Sequence, residues 1–450
     1  MWPRVTREVA DDLAADAIAR DRAGKPPYDE VARLREAGLP ALLTPPALLG
    51  RGRTGLGLPL DPDGHDGHGG HGGHGGHGGH GGHDGHDGHD GHGGHGGHGG
   101  HGGADWRTAA AVIREIAAAD GSIGELIARH YVLSWSGRFF AATDGPAAGH
   151  EPPAVAHSWL LGGSTDLPDP ETGPGLTLSP AASGYLLNGR RTFAAGVTVA
   201  DRLVVGATAT HTGELLIALV NPAHPGVLAG TDNDRLGQRL TGAGSVDFDN
   251  VPVDADHILG ALPRDEHAVS AFTALAPLAL RLVLSHVALG IAEGALAEAR
   301  DVSRAVQPAP RSEAPDATTY AVRPSGDPYL LLAYGELATA AHTAAAVVER
   351  ATDALEQGLL TGRDLGMDER AEIAVLVAAA EAVTSRSAVD ITTRILELTE
   401  AATSSDGGAA LDRFWRNARA LTAQSSPTHR LRDIGDHYLN GTHPPFTARS

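Results

Sequence analysis

Histidine recurs at every third position of one glycine-rich stretch, residues 64–103, and imidazole is a common ligand of transition metals. Thirteen histidines lie between His65 and His101, separated only by Gly or Asp. In an extended, polyproline-II-like chain, neighbouring imidazoles would stand about 9 Å apart, because each residue rises about 3.1 Å. Two of them can share one metal ion only where the chain bends, which glycine permits, so we expect loose binding of Zn²⁺, Ni²⁺ or Cu²⁺. The expected ligands are His65, His68, His71, His74, His77 and His80.

The same tract has a second interpretation, in which it has no chemical role. A segment with Gly at every third residue cannot bury a core and is expected to be disordered or extended. It lacks proline, so a collagen-like triple helix is not expected. A repeat expansion in a tolerant surface loop explains the pattern equally well.

Composition excludes several classes of function. Cysteine is absent from the 450 residues, which excludes disulfides, thiolate metal sites and cysteine nucleophiles. The formal net charge of −20 argues against nucleic acid or an anionic membrane as the main partner. The first 22 residues are charged and lack the apolar core of a signal peptide, and the longest apolar stretch, 268–299, is interrupted by proline and charged residues. We therefore expect a cytoplasmic protein with no membrane span.

The elements that must position any site change character twice along the chain. Short β-branched or alternating segments, separated by Gly, Asn and Pro, run from about 157 to 262 and predict a small, mostly antiparallel β domain. Apolar residues fall at helical spacing on both sides of it. The predicted helices are 5–38 with a turn at 24–27, 106–119, 123–140, 266–305, 328–358, 367–400, 409–425 and 428–439.

Three domains follow from this order, in a chain of the α+β class. Residues 1–155 are assigned to an N-terminal helical domain, which carries the histidine-rich insertion at 61–103. Residues 156–262 form the central β domain. Residues 263–450, with four long Ala- and Leu-rich helices, are expected to form an antiparallel bundle.

Five motifs in this order resemble the acyl-CoA dehydrogenase superfamily. They are ARDRAGKPPYDEVARLREAGL (19–39), DWRTAAAVIREIAAADGSIGELIARHY (105–131), GYLLNGRRTFAAGVTVADRLVV (184–205), LGQRLTGAGSVDFDNVPV (236–253), and LDRFWRNAR (411–419) followed by IGDHYLNG (434–441). Within the superfamily the chain is most similar to the reduced-flavin-dependent monooxygenases, the branch of dibenzothiophene monooxygenase and the sulfone-utilisation proteins. The resemblance implies an acyl-CoA dehydrogenase-like fold with an N-terminal helical domain, a central antiparallel β-barrel domain and a C-terminal four-helix bundle.

The resemblance also implies an activity and its partners. Reduced FMN or FAD, supplied by a separate NAD(P)H flavin reductase, would react with O₂ to give a C4a-hydroperoxyflavin. This oxidoreductase would then oxygenate a small organosulfur or similar substrate, as a homotetramer.

A flavin site needs an apolar wall, backbone or hydroxyl donors and a cation for the phosphate. By the resemblance, Phe193 is expected to supply the wall and Arg304 the phosphate contact. The full set that the resemblance implies for the cofactor is Gly163, Ser164, Thr165, Asp166, Arg191, Thr192, Phe193, Ala194, Ala195, Arg304, Ala402 and Thr403.

The catalytic positions are less complete. His130 stands where relatives have an active-site histidine, although a lone His beside Tyr131 is more often a satisfied core residue. Gln424 and Ser425 occupy the places of the second histidine and the aspartate of the monooxygenases, and neither shuttles protons near pH 7. Ser425 also stands where dehydrogenases keep a catalytic glutamate, and Leu280 stands where a second dehydrogenase subgroup keeps one. Three hypotheses about the function follow: a monooxygenase, an acyl-CoA dehydrogenase-like oxidoreductase acting on CH–CH groups, and a degenerate paralogue with a metal-binding tract.

Overall fold

The structure is a computed structural model of the chain. It describes residues 2–43, 104–141, 159–166, 175–232, 234–305, 326–399, 411–423 and 427–446. The histidine tract, Ala402, Thr403, Gln424 and Ser425 lie outside the described residues.

The chain begins with five helices, which bury apolar residues in the main hydrophobic core. They are α1 (Trp2–Ala23), α2 (Tyr28–Glu36), α3 (Trp106–Ala119), α4 (Gly121–Ser134) and α5 (Ser136–Phe140). Asp120 begins α4, because its carboxylate accepts hydrogen bonds from the backbone N–H groups of Ser122 and Ile123. The same carboxylate accepts from Arg20 Nη2 of α1 at 2.8 Å, so one acidic side chain both caps α4 and fixes α1 against it.

The central domain is an eight-stranded mixed sheet. Its strands are β1 (Leu161–Ser164), β2 (Thr177–Ala181), β3 (Gly184–Phe193), β4 (Arg202–Ala209), β5 (Leu215–Val220), β6 (Val227–Thr231), β7 (Gly244–Asp254) and β8 (Ile258–Leu262). The order is β6-β7-β3-β2-β4-β5-β8, with β1 beside β4. Two pairs, β1 with β4 and β2 with β4, are parallel, and the rest are antiparallel. The mostly antiparallel character is thus as predicted, but among the described strands β6 and β8 end the order without pairing, so hydrogen bonds do not close a barrel.

The chain then returns to helices: α6 (Leu275–Ala305), α7 (Pro328–Thr361), α8 (Met367–Thr399), α9 (Asp412–Thr422) and α10 (Pro427–Asn440). The predicted start of α6 at 266 is wrong: residues 266–268 form a short 3₁₀ turn, and the α-helix begins at Leu275. Pro277 falls in its first turn, where the missing N–H would have no intrahelical partner.

Helix α6 is the centre of the molecule. It packs against α3, α4, α7, α8 and α9, so the helices before and after the β domain share one hydrophobic core. Helices α6 and α7 are long and apolar enough to cross a membrane, but most of the apolar window of α6 is buried inside the protein, as in a core helix. The two helical parts form one packed body. The division of the chain into three domains stays a prediction.

Candidate active site

The ends of β1 and β3, to which the resemblance assigns the flavin, lie side by side. Glycine makes this possible, since a Cβ added to Gly196 would stand 2.5 Å from the Cα of Gly162. Gly163 has φ +104°, and a Cβ there would stand 2.2 Å from the carbonyl oxygen of Val204. The N–H of Gly163 donates to the carbonyl of Ala195 at 3.5 Å. Two backbone segments can therefore approach more closely than any larger residue would allow.

Arg191 clamps this junction rather than facing a ligand. Its guanidinium is buried and donates to the backbone carbonyl of Asp166, just beyond β1. Burial lowers the pKa of Arg191, and the nearby Asp166 carboxylate partly offsets this. Ser164 Oγ donates to the Asp166 carboxylate at 2.9 Å, which fixes the turn that follows. Arg191 therefore positions the end of β1, and its predicted contact with the cofactor stays a prediction.

Phe193 is buried inside the β domain, and its expected role as an apolar wall for the flavin stays a prediction. It is 2% exposed and packs in the core of the β domain, with the Arg191 guanidinium 5.4 Å from its ring centroid. Thr192, its neighbour on the alternating strand, is the exposed residue. The solvent-exposed face of β3 therefore carries Thr192 and not Phe193.

The polar groups left open at the junction fit a flavin. Within the part of the chain that the structure describes, the hydroxyls of Thr165 and Thr192 have no hydrogen-bond partner; Thr192 is exposed and Thr165 is half-buried. Gly163, two residues before Thr165, lies so close to β4 that an added Cβ would meet the backbone of Val204. Hydroxyls and a glycine-opened backbone are the donors that a flavin ring and its ribityl chain require.

Ala194 and Ala195 contribute through their backbone. The Ala194 carbonyl accepts from Thr241 Oγ1 at 2.9 Å and from Arg235 Nη1 at 3.2 Å, and the Ala195 side chain is buried. Arg235 also lines a cavity of about 570 Å³ between α1, the segment before β7 and α9. Sequence reasoning missed Arg235, which is an arginine bonded directly to the candidate flavin strand.

His130 is a positioning residue. Its Nδ1 accepts the N–H of Leu161 at 3.0 Å, so Nε2 carries the proton and donates to the Pro40 carbonyl at 2.8 Å. Burial lowers the pKa of His130 to about 4. A neutral ring with both nitrogens engaged by backbone has none free for proton transfer. His130 thus fixes the start of β1 to α4 and to the loop after α2, and its catalytic role stays a prediction.

Arg304 is placed elsewhere. It is exposed near the end of α6 and lines a second cavity, of about 610 Å³, between α6 and α7. No residue of β1 or β3 lines that cavity. Its phosphate contact stays a prediction, as do the roles of Ala402, Thr403, Gln424 and Ser425. Within the described ranges, no group of three or more His, Asp or Glu side chains is placed to hold a metal ion.

A buried hydrogen bond that the sequence did not reveal joins two of the five motifs, and we call it the Gln238–Asn417 lock. Gln238, from LGQRLTGAG, is fully buried with φ +55°, and its N–H donates to Asn417 Oδ1, from FWRNAR, at 2.7 Å. Gly237 permits the contact, because a Cβ there would stand 2.1 Å from the carbonyl oxygen of Arg416. Helix α9 is thereby fixed to the β domain just before the segment 424–426.

Removing this lock should be measurable. Asn417→Ala leaves the buried N–H of Gln238 without an acceptor, and we expect the free energy of unfolding to fall by about 2 kcal/mol. Urea denaturation followed by circular dichroism measures it. The control is Asn440→Ala, at the exposed end of α10, which should change stability by less than about 0.5 kcal/mol. Equal losses of stability in the two variants would show that the hydrogen bond between Gln238 and Asn417 does not stabilise the fold.

Comparison with known proteins agrees with this geometry. Residues 282–426 match the family profile of the acyl-CoA dehydrogenase C-terminal domain. Dibenzothiophene monooxygenase of Mycolicibacterium goodii is 31% identical over 352 residues, which cover 76% of this chain and 82% of that protein. The complex of the dibenzothiophene monooxygenase TdsC from Paenibacillus sp. A11-2 with FMN and indole is 28% identical, covers 100% of this chain and 99% of that one, and has a TM-score of 0.78.

A second solved structure is also similar. Methanesulfinate monooxygenase MsuC from Pseudomonas fluorescens is 27% identical, with a TM-score of 0.76 and 99% of each chain covered. The sequence motifs, the fold, and the comparisons with related sequences and solved structures all indicate the same family. The chain belongs to the acyl-CoA dehydrogenase superfamily, in the branch of the flavin-dependent monooxygenases related to dibenzothiophene monooxygenase.

Proposed function

We propose that this protein is a reduced-flavin-dependent monooxygenase that transfers one oxygen atom of O₂ to a small organosulfur or related substrate. The observation that carries the proposal is the likeness along the whole chain to a monooxygenase whose structure holds FMN and indole. That structure also favours FMN over FAD. A separate NAD(P)H flavin reductase would supply the reduced flavin.

When bound, reduced FMN supplies the two electrons that activate O₂. The hydroxyls of Thr165 and Thr192 and the backbone around Gly163 would hold it at the junction of β1 and β3. Arg191 and His130 keep that junction in place from behind. On the resemblance alone we also propose Arg304 as a phosphate contact, because a guanidinium binds phosphate with charge-assisted hydrogen bonds; it lines the cavity between α6 and α7 and not the junction itself.

This chain has no titratable side chain at the two positions, 424 and 425, where the resemblance places the proton-transferring residues. Gln424 and Ser425 can orient a polar group by hydrogen bonding, but neither side chain gains or loses a proton near neutral pH. His130 does not replace them, since its ring nitrogens are both bonded to backbone. We therefore propose that water supplies the protons, and that turnover is slower than in relatives with an intact histidine pair.

Thr192 offers a direct test of the flavin site. Thr192→Val keeps the shape and removes the hydroxyl, and we expect FMN to bind about three- to tenfold more weakly, with no loss of stability because the side chain is exposed. Calorimetric titration with FMN and with FAD measures this and decides between the two flavins. Thr210→Val, on another exposed threonine of the β domain, is the control and should leave the affinity unchanged. An unaltered FMN affinity in Thr192→Val would remove Thr192 from the site.

The dehydrogenase alternative has no base at either of the two positions that the resemblance assigns to it. Leu280 is apolar and half-buried on α6, and Ser425 is no carboxylate. Mixing the oxidised holoprotein with acyl-CoA thioesters of several chain lengths should therefore leave the flavin absorbance unbleached. Bleaching would favour the dehydrogenase instead.

The remaining expectations concern assembly and the tract. Several exposed apolar side chains on α7 and α10 support the proposed homotetramer: Tyr329, Leu331, Leu332, Tyr438 and Leu439. Sedimentation of the full chain measures the assembly. We keep a cytoplasmic location as a proposal, and a degenerate paralogue with a loosely metal-binding tract as the non-enzymatic alternative. Failure to bind any flavin would support that alternative.

A further inference from the structure

The cavity between α1, the segment before β7 and α9 is lined almost entirely by charged residues, and we call it the arginine cavity. Its volume is about 570 Å³. Four arginines, three aspartates and one leucine line it: Asp21, Arg22, Asp234, Arg235, Leu236, Arg239, Asp412 and Arg416. The chain as a whole carries a net charge of −20, so an excess of arginine over aspartate in this cavity is a local feature.

One arginine engages two of the three carboxylates. Arg416 Nη2 donates to Asp21 at 2.5 Å, and Arg416 Nε donates to Asp412 at 2.9 Å. The third carboxylate, Asp234, is exposed and forms no ion pair with a described residue. The carboxylates of the cavity therefore leave the other three arginines without an anionic partner.

These three arginines, Arg22, Arg235 and Arg239, have hydrogen-bond donors to spare. Arg239 is half-buried, and its Nε is a buried N–H with no acceptor in the described part of the chain. Arg235 uses only Nη1, which donates to the Ala194 carbonyl and to Thr241 Oγ1, both at 3.2 Å. Since its Nε and Nη2 bond to no described residue, Arg235 can bind a ligand and keep both existing bonds.

Arg239 and Arg22 lie at the same end of α1. Gly24, two residues after Arg22, is so close to Arg239 that an added Cβ would stand 3.2 Å from Nη2. Two separate segments of the chain thus bring three guanidinium groups to one cavity. Guanidinium groups bind phosphate through paired, charge-assisted hydrogen bonds, so this arrangement favours a phosphate ligand.

We propose that the arginine cavity binds a phosphate monoester with a hydroxylated body, such as a sugar phosphate. Arg22, Arg235 and Arg239 contact the phosphate, and Asp234 accepts hydrogen bonds from the hydroxyl groups. The volume of the cavity accommodates such a body beside the phosphate, and none of the eight lining residues is aromatic, so a nucleobase has no ring on which to stack. The site is separate from the proposed flavin site and does not depend on the proposed function, although Arg235 connects the two through the Ala194 carbonyl.

Calorimetry on the full chain tests the site with ribose 5-phosphate, ribose and inorganic phosphate. We expect ribose 5-phosphate to bind at least about tenfold more tightly than ribose, which offers the arginines no negative charge. Arg239→Gln should weaken ribose 5-phosphate about 10- to 100-fold, and Arg22→Gln about three- to tenfold because that side chain is exposed. The matched control is Arg4→Gln, which removes the same charge from α1 where Arg4 pairs with Glu8, and it should leave the affinity unchanged.

Asp234→Asn tests the hydroxylated body. Without the carboxylate, inorganic phosphate should bind about two- to fivefold more tightly, because the repulsion of an exposed negative charge is removed. Ribose 5-phosphate should gain less, since its hydroxyl groups lose an acceptor. The ratio of the two affinities should therefore fall by about threefold. An unchanged ratio would overturn the assignment of the ligand to a sugar phosphate.

Two further results would overturn the proposal as a whole. One is equal affinity for ribose 5-phosphate and ribose, or no saturable binding of ribose 5-phosphate in the millimolar range. The other is a lower melting temperature of Arg239→Gln with unchanged affinity for ribose 5-phosphate, which would make Arg239 a structural contact of the turn at Gly24. Should Arg239→Gln not fold, Arg22→Gln carries the test, because the exposed Arg22 side chain is not needed for folding.

The ribityl phosphate of FMN has the same chemistry as a sugar phosphate, so titrations with FMN and riboflavin must separate the two sources. We expect Arg22→Gln and Arg239→Gln to leave the affinities for FMN and for riboflavin unchanged. Weaker binding of FMN but not of riboflavin in these variants would assign the cavity to the flavin phosphate and would overturn a separate site.

Discussion

Gly163→Ala should lower the free energy of unfolding by about 4 kcal/mol and abolish measurable FMN binding. The residue has φ +104°, a conformation that costs a non-glycine residue about 1–3 kcal/mol. Its new Cβ would also stand 2.2 Å from the carbonyl oxygen of Val204, which belongs to the paired strand β4 and cannot rotate away. Relief requires β1 to separate from β4, and this moves Thr165 and Asp166 away from β3.

Urea denaturation and FMN titration test this prediction together. The control is Gly435→Ala, in the interior of α10, where an added Cβ meets nothing within 4 Å. That substitution should stabilise the protein by up to about 1 kcal/mol, because alanine is the better helix former. If Gly163→Ala were as stable as the wild type, the close approach of β1 and β4 would be wrong.

Acid should destabilise the protein well above the pH at which carboxylates titrate. His130 and His286 are fully buried and neutral, and burial lowers the pKa of His130 to about 4 and that of His286 to about 3. In the unfolded chain both groups take up a proton near pH 6.5, while the folded protein takes up none until about pH 4. Stability therefore falls as the pH drops from 6.5 to 4, by about 4 kcal/mol between pH 7 and pH 5 for the two histidines together.

Urea denaturation at pH 5, 6 and 7 measures this loss. His286 Nε2 lies 2.8 Å from Thr352 Oγ1, and its Nδ1 is a buried atom without a partner among the described residues. His286→Gln replaces the ring with a group that does not titrate, so the pH-dependent loss should fall by about half, to ~2 kcal/mol. His342→Gln, a substitution on α7 at a histidine outside the core, is the control and should leave the slope unchanged. An unchanged slope in His286→Gln would show that other groups cause the acid sensitivity.

Local pattern predicted the elements well because most of them bury one periodic face. The helices and the β domain lie close to where spacing and turn residues placed them. The exceptions have physical causes. Residues 266–274 are apolar at helical spacing but precede the first hydrogen-bonded turn of α6. The short strand β1, reading LGGS, pairs in parallel with β4, a non-local choice that its own sequence does not specify.

The candidate site was less predictable from sequence. The resemblance assigned the flavin to segments that lie side by side in the structure, but it did not show that strand alternation buries Phe193 or that Arg191 bonds to the turn at Asp166. Gln238 and Asn417 are 179 residues apart, and no local pattern links them. Arg281 of α6 and Arg430 of α10 likewise meet at Glu381 of α8, and no local pattern indicates this ion-pair group.

The most direct test of the proposed function needs no known substrate. Full-length protein, mixed with photoreduced FMN and then with O₂ in a stopped-flow spectrometer, should give a transient absorbance that differs from both reduced and oxidised FMN. Addition of thioethers or alkanesulfinates should then yield an oxygenated product. Reoxidation of FMN in one phase at the rate of free FMN, with no oxygenated product from any of these compounds, would contradict the account.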